Sequence, residues 1–246
     1  MIVNLTQNGW EVIYHRAHAL LAAQLAGQWD KTQTPKRFFE TLAAISHHDD
    51  LEVEWENAQL TEAGAPLDFT LTLDYSAKRI EKLADLVDKA LHRGRWVALL
   101  VSMHVCFLSQ AQWESSEQWK QFLNDQVQKQ QAWRDALGID KDEAEQTYQF
   151  LQWCDRLSLI LCQKSLPVDQ RALEITSRFN HQRYDVKQID GFVHVVPWPF
   201  EKDEFIVGVD ACDLNQLKFE DNAQLKQALQ QAPIKELTWK FAKLRT

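Results

Sequence analysis

Histidine and carboxylate side chains fall at four separate places on the helices that the sequence predicts. They are His18 on the first, His48-Asp49 at the end of the second, His104 on the fourth and Asp155 on the last. Imidazole and carboxylate together suit a divalent transition metal, and a helical body can bring such ligands from sequence-distant helices into one cleft. Asp155 lies within Gln152-Trp-Cys-Asp-Arg-Leu-Ser-Leu, where its same-face neighbours Leu151, Gln152, Ser158 and Leu159 form a largely apolar surface. An ionised carboxylate there needs a positive partner, either a metal or an arginine such as Arg156. His104, in the middle of Val101-Ser-Met-His-Val-Cys-Phe, is either a ligand or a core histidine satisfied by a hydrogen bond. Leu42-Ala-Ala-Ile-Ser-His-His-Asp is an apolar helix that ends abruptly in ligand-type residues. His15 is an alternative to His18, which opens the small-residue pattern of the first helix.

The elements that must position these groups read as follows. Residues 2–14 alternate as a short β segment around an Asn8-Gly9 turn. Helical periodicity then runs through His15 to Gly27, Arg37 to Ser46, Ile80 to Leu91, Trp96 to Leu108, Ser115 to Leu137 and Asp142 to Gln163. Beyond Pro167 the character changes, and Gly191 to Val196, Glu204 to Val209 and Leu237 to Phe241 alternate as strands, with Pro197-Trp198-Pro199-Phe200 between the first two. The expected fold is mainly α: a helical body over 15–166, with a small antiparallel β appendage made by the C-terminal part, 167–246, and the N-terminal strands, 1–14.

Composition narrows the function classes. The 246 residues, 45% hydrophobic with seven Gly and six Pro, suffice for a sizeable core in one domain or a domain with an appendage. A net charge of −8 lacks the broad positive field that non-specific phosphate-backbone binding requires, so no general nucleic-acid binding is expected. The longest apolar run, Trp96 to Leu108, is 13 residues, short of the ~20 that cross a bilayer. The start, MIVNLTQNGW, has no basic or apolar signal region, and the four cysteines show no CxxC spacing. A soluble cytoplasmic protein with reduced thiols and no membrane partner is expected, and a homodimer is open.

The chain as a whole resembles two known groups. His18-Ala-Leu-Leu-Ala-Ala-Gln-Leu-Ala26, the helix ending in His48-Asp49 and the late Asp155-Arg-Leu are similar to the successive signatures of the HD superfamily of metal-dependent phosphohydrolases. More closely, Gly9-Trp10-Glu11, His18-Ala19, His48-Asp49-Asp50, Leu100-Val101-Ser102-x-His104, Asp155-Arg156-Leu157-Ser158-Leu159 and Pro197-Trp198-Pro199-Phe200 resemble a bacterial family known as domain of unknown function 3891. The HD resemblance implies an HD-like bundle and a ligand set of His18, His48, Asp49 and Asp155, with His104 a further ligand or a donor behind them. It departs from the usual pattern in two ways. Asp49 leads into Asp50-Leu51-Glu52 without the customary Gly, and the 106 residues from Asp49 to Asp155 require inserted helices.

The resemblance also implies one or two divalent ions (Mn, Fe, Ni, Zn or Mg) and a small phosphorylated or nucleotide-like substrate. Asp50 or His47 would orient water or shuttle its proton, and Arg156 would supply a stabilising cation. The alternative is a non-catalytic ligand-sensing or protein-interaction module of the same architecture, favoured by Gln- and Trp-rich helices and by the lack of an obvious phosphate-gripping basic cluster. The ten tryptophans read as packing rather than a stacking surface, and the acidic run Asp49, Asp50, Glu52, Glu54, Glu56 as a solvated segment without EF-hand spacing. There is no P-loop, dinucleotide-binding glycine pattern or nucleophile elbow.

Overall fold

Apolar and polar side chains alternate across the Asn8-Gly9 turn, and in the computed structural model of the chain they form an antiparallel hairpin. Its strands are β1 (Ile2–Leu5) and β2 (Trp10–Ile13), with Val3 opposite Val12. The structure describes residues 1–50, 59–71, 77–169, 171–177 and 179–244; Glu52, Glu54 and Glu56 of the acidic run lie outside them. Six helices follow the hairpin: α1 (His15–Gly27), α2 (Phe38–His47), α3 (Ala77–Leu91), α4 (Arg95–Leu108), α5 (Glu117–Leu137) and α6 (Lys141–Cys162). The boundaries of α5 and α6 have local causes. The Ser116 and Asp140 side chains accept hydrogen bonds from the backbone N–H of Trp119 and Glu143, and Gly138 closes α5 in the left-handed conformation.

The remaining elements are β3 (Leu173–Thr176), β4 (Tyr184–Ile189), β5 (Phe192–Val196), β6 (Glu204–Leu214), α7 (Asn222–Gln231) and β7 (Ile234–Ala242). All seven strands join one sheet in the order β1-β2-β6-β7-β5-β4-β3, antiparallel except for the parallel pair β5 and β7. The mainly-α expectation is therefore corrected to mixed α/β: of the described residues 50% are helix and 21% strand, in a curled half-barrel. The cause is visible in the strands themselves. Tyr184-Asp-Val-Lys-Gln-Ile sets the charges Asp185 and Lys187 on either side of Val186, and β6 runs on through Asp210 and Asp213 well past its apolar start. Such strands have one buried and one solvated face and carry a weak apolar signal.

Helix α4 is buried from Trp96 to Ser102 and again at His104 and Val105, as a helix apolar nearly all round must be, and it packs against α2, α3, α5 and α6. One cluster of buried apolar side chains continues from Leu21, Ile45, Leu99 and Trp153 on the helices to Val186, Val207 and Phe241 on the sheet. A smaller cluster, including Val12, Leu214, Leu225 and Leu229, lies beneath α7. The Gln24 side chain clamps α1 to β6, donating to the Gly208 carbonyl at 2.9 Å and accepting from its N–H at 3.2 Å.

At the hairpin turn, a Cβ on Gly9 would stand 1.9 Å from the Leu214 carbonyl oxygen and 2.9 Å from the Gln216 nitrogen. No side chain fits between these backbones. Gly9→Ala is expected to destabilise the protein by about 2–3 kcal/mol through this overpacking. Gly27→Ala, where a new Cβ meets nothing within 4 Å, is expected to be neutral or slightly stabilising. Urea denaturation of the two variants checks the contrast, which equal midpoints would contradict.

Candidate metal centre

Four helices converge at the histidines and aspartates. Positions 15 and 18 share one face of α1, so His15 and His18 point together toward α2 and α6, against which α1 packs. The small residues Ala19, Ala22 and Ala26 on that helix are buried and leave room for close approach. Helix α2 ends at His47, which places His48 and Asp49 in the turn that follows it. His104 comes from α4 and Asp155 from α6.

The candidate donor atoms are close together and nearly dry. His18, His48 and His104 are 0–2% exposed, and the carboxylates of Asp49 and Asp155 only 13% and 15%. His15 Nε2 and His18 Nε2 each stand 3.1 Å from Asp49 Oδ2, and His48 Nε2 stands 3.5 Å from it. Asp155 Oδ1 is 3.2 Å from His48 Nε2 and 3.6 Å from His18 Nε2. His104 Nε2 lies 4.0 Å from Asp49 Oδ1. Three overlapping sets, His15-His18-Asp49, His18-His48-Asp155 and His48-Asp49-His104, each keep their donor atoms within 4.8 Å of one another.

Backbone hydrogen bonds set the orientation of two of the rings. His18 Nδ1–H donates to the His15 carbonyl and His48 Nδ1–H to the Ile45 carbonyl at 2.6 Å, which turns both Nε2 atoms toward the cluster. This is the backbone bond that metal-ligating histidines commonly make with their other nitrogen. Among the described residues, Nε2 of His18, Nε2 of His48 and Oδ1 of Asp155 are buried without an aligned hydrogen-bond partner, although they stand close to one another. Buried polar atoms rarely remain so. Donor atoms gathered on one ion at about 2.1 Å sit roughly 3.0–3.4 Å apart, close to the 3.1–3.6 Å that separate the Asp49 and Asp155 oxygens from the Nε2 atoms of His18 and His48. The residues therefore fit a divalent ion.

The electrostatics agree with that fit. Burial opposes charge on His18, but the proximity and charge of Asp155 and Asp49 outweigh it and push the imidazole up to about 10. Burial likewise opposes charge on His48, and the same two carboxylates raise it. Burial would raise both aspartates, yet the histidines hold them well below the usual carboxylate range. The two carboxylates thus create a demand for positive charge at the centre of the cluster. His104, lowered to about 4 by burial and by the charge on His48, remains neutral and available as a ligand.

The other expected residues lie at the rim or away from it. His47 Nδ1–H donates to Asp50 Oδ2 at 2.7 Å, and Arg16 Nε stands 3.3 Å from Asp50 Oδ1. Arg156 is exposed, and among the described residues no ion pair links it to the cluster; Arg16 is the arginine at this rim. His15, expected only as an alternative to His18, joins the cluster with it, and Phe69 escaped the sequence reading. His15 proves as close to Asp49 as His18 is, and Phe69 lies tilted against His15 at 3.8 Å between ring centroids and stacked on His18 at 5.6 Å. Phe69 is pinned by its own N–H to the Met1 carbonyl and by Asp68, which accepts from the N–H of Val3. Nothing in its local sequence signals this role.

A sequence profile of the family described as a protein of unknown function (DUF3891) matches residues 1–216. No curated protein and no solved structure matches the chain. None of these comparisons relates it to the HD superfamily, whose motifs it resembles. The chain belongs to the DUF3891 family.

Proposed function

We propose that this member of the family is a metal-dependent phosphohydrolase of HD type, acting on a small phosphorylated or nucleotide-like substrate. The observation that carries the reading is the set of buried, unpartnered donor atoms on His18, His48 and Asp155, which converge with Asp49. These four residues would hold the ion, and Asp49, whose second oxygen faces His104, gives room for one ion or two. The mixed imidazole and carboxylate set suits Mn, Fe, Ni or Zn better than Mg, which prefers oxygen alone. A divalent ion bound there supplies Lewis acidity, acidifying water to near neutrality and neutralising charge on a phosphoryl oxygen.

The chain's own groups complete the chemistry. Asp50 accepts the Nδ1–H of His47, which leaves His47 Nε2 as the acceptor for a proton from the attacking water. The water oxygen bonds to phosphorus as the ester P–O bond breaks. The ester oxygen departs with that electron pair and takes up a proton. Phe69 covers one side of the cluster and limits solvent there. The four cysteines, all free, suit the reducing cytoplasm in which we place the protein.

The test is elemental analysis of the full chain after repletion with each metal in turn, followed by assay on phosphomonoester and phosphodiester substrates. About one or two ions per chain and metal-dependent phosphate release are expected. No retained metal after repletion, or a fully loaded protein inert on every substrate, would move the chain to a non-catalytic binding module.

A further inference from the structure

A cleft of about 480 Å³ lies beside the cluster, between α1, the end of α2 and the outer face of α3. Four fixed cations line it, Arg16, Lys82, Lys89 and Arg93, against two carboxylates, Asp50 and Asp85. Two positive charges in excess, within a chain of net charge −8, invert the sign of the molecule locally. The cations keep intramolecular partners: Arg16 lies 3.3 Å from Asp50, and Lys89 lies 2.6 Å from Asp85. An extended polyanion can compete with these carboxylates along the row, because a cleft lined by an excess of one sign of charge focuses their field.

The wall of the cleft adjoins the candidate metal centre along the chain. Arg16 directly follows His15, His47 precedes His48 and Asp50 follows Asp49, so three residues of its wall are chain neighbours of the buried cluster. Lys82 and Lys89 are two turns apart on α3, about 10 Å along its axis, and Arg93 lies beyond the helix end. One phosphoryl group cannot reach along that row, whereas a chain of two or three can.

We infer that the substrate carries a linear oligophosphate, its terminal phosphoryl group at the histidine-aspartate cluster and the following ones in the cleft. This substrate class rests on the hydrolase reading above. The water oxygen bonds to the terminal phosphorus while the bond from that phosphorus to the bridging oxygen breaks. The bridging oxygen keeps the electron pair, and the shortened phosphate leaves as an anion held by the cleft cations. His47 takes the proton released from water.

Calorimetric titration of the chelator-treated full chain with inorganic tripolyphosphate, orthophosphate and ATP tests the cleft without an ion for the probes to sequester. Tripolyphosphate and ATP are expected to bind at least about 10-fold more tightly than orthophosphate, the worth of one or more extra charge-assisted hydrogen bonds. Tighter binding of ATP than of tripolyphosphate assigns a nucleoside polyphosphate, and equal binding an inorganic oligophosphate; both support the inference. Lys89→Glu changes a side chain that is 64% exposed, so folding is spared, and it should weaken tripolyphosphate about 10-fold or more with metal content unchanged. Equal affinity for ortho- and tripolyphosphate, or no effect of Lys89→Glu, overturns the inference. Failure of the hydrolase reading has a different signature: tripolyphosphate then binds with the same dependence on Lys89, but no metal is retained and no phosphate is released.

Discussion

Asp49→Asn is expected to strip the protein of its ion and to lower kcat/KM for phosphate-ester hydrolysis by on the order of 10³-fold or more. Altering partners behind the ligands of a metal site already costs ~10–100-fold, and Asp49 is placed among the ligands themselves. Its Oδ2 approaches His15, His18 and His48, and its Oδ1 faces His104, so among the described residues no other side chain contacts as much of the cluster. Asparagine keeps the shape and removes the charge that counters the ion and the imidazoles. The variant should fold, and circular dichroism should match the parent.

Metal analysis and thermal melting read the loss directly. An ion present at 100 times its Kd stabilises the folded state by about 2.7 kcal/mol. For a chain of this size that is a Tm gain of roughly 5–10 °C on metal addition, at ~2–4 °C per kcal/mol. The parent should show the gain and Asp49→Asn should not. Arg156→Ala, on the exposed face of α6, should behave as the parent in both measurements. Full metal content in Asp49→Asn would remove the cluster from the proposal.

What could be read in advance divides along a physical line. His18, His48-Asp49, His104 and Asp155 stood out because ionisable groups interrupt apolar helical runs, and an interior tolerates such groups only when something compensates them. Choosing between His15 and His18 was beyond periodicity, because both lie on the same face of α1 and both reach Asp49. The cationic cleft was hidden for another reason. Arg16 and the lysines of α3 are separated by more than 60 residues and become neighbours only when α1 packs on α2 and α3 on α4, and a net charge of −8 masks a local excess.

The sheet was underestimated on similar grounds. Short strands interrupted by alternating charges, such as Asp185 and Lys187 in β4, carry a weaker apolar signal than a buried helix, and the pairing partners of others are distant in sequence. β2 meets β6 across some 200 residues, with Val12 opposite Cys212. Alternation can indicate a strand, but it cannot say how many strands will share one ladder.

Trp29→Ala is expected to cost about 3–5 kcal/mol, the range for removing a large buried aromatic from a core. Trp29 is 1% exposed, and its ring centroid lies 4.7 Å from that of Trp153, 5.0 Å from Phe150, 5.4 Å from Phe179 and 5.9 Å from Phe200. These partners belong to α6, to the segment before β4 and to the Pro197-Phe200 connector, so one side chain joins helices to sheet. The backbone repeats the join, with the Asp30 N–H donating to the Pro199 carbonyl and the Glu201 N–H to that of Gln28. Against a total stability of ~5–15 kcal/mol, the loss brings the chain close to unfolding at 37 °C. Trp29→Phe should cost far less, since the indole Nε1–H has no hydrogen-bond partner among the described residues and its removal leaves nothing newly unsatisfied. Guanidinium denaturation of the pair separates packing from polarity, and an alanine variant within 1 kcal/mol of the parent would contradict the role. Because α1 also carries His15 and His18 and α6 carries Asp155, metal affinity in Trp29→Ala should fall together with stability. The aromatic join ties the end of α1 to α6, two of the four helices that position the cluster, so loosening it must misplace His15, His18 and Asp155.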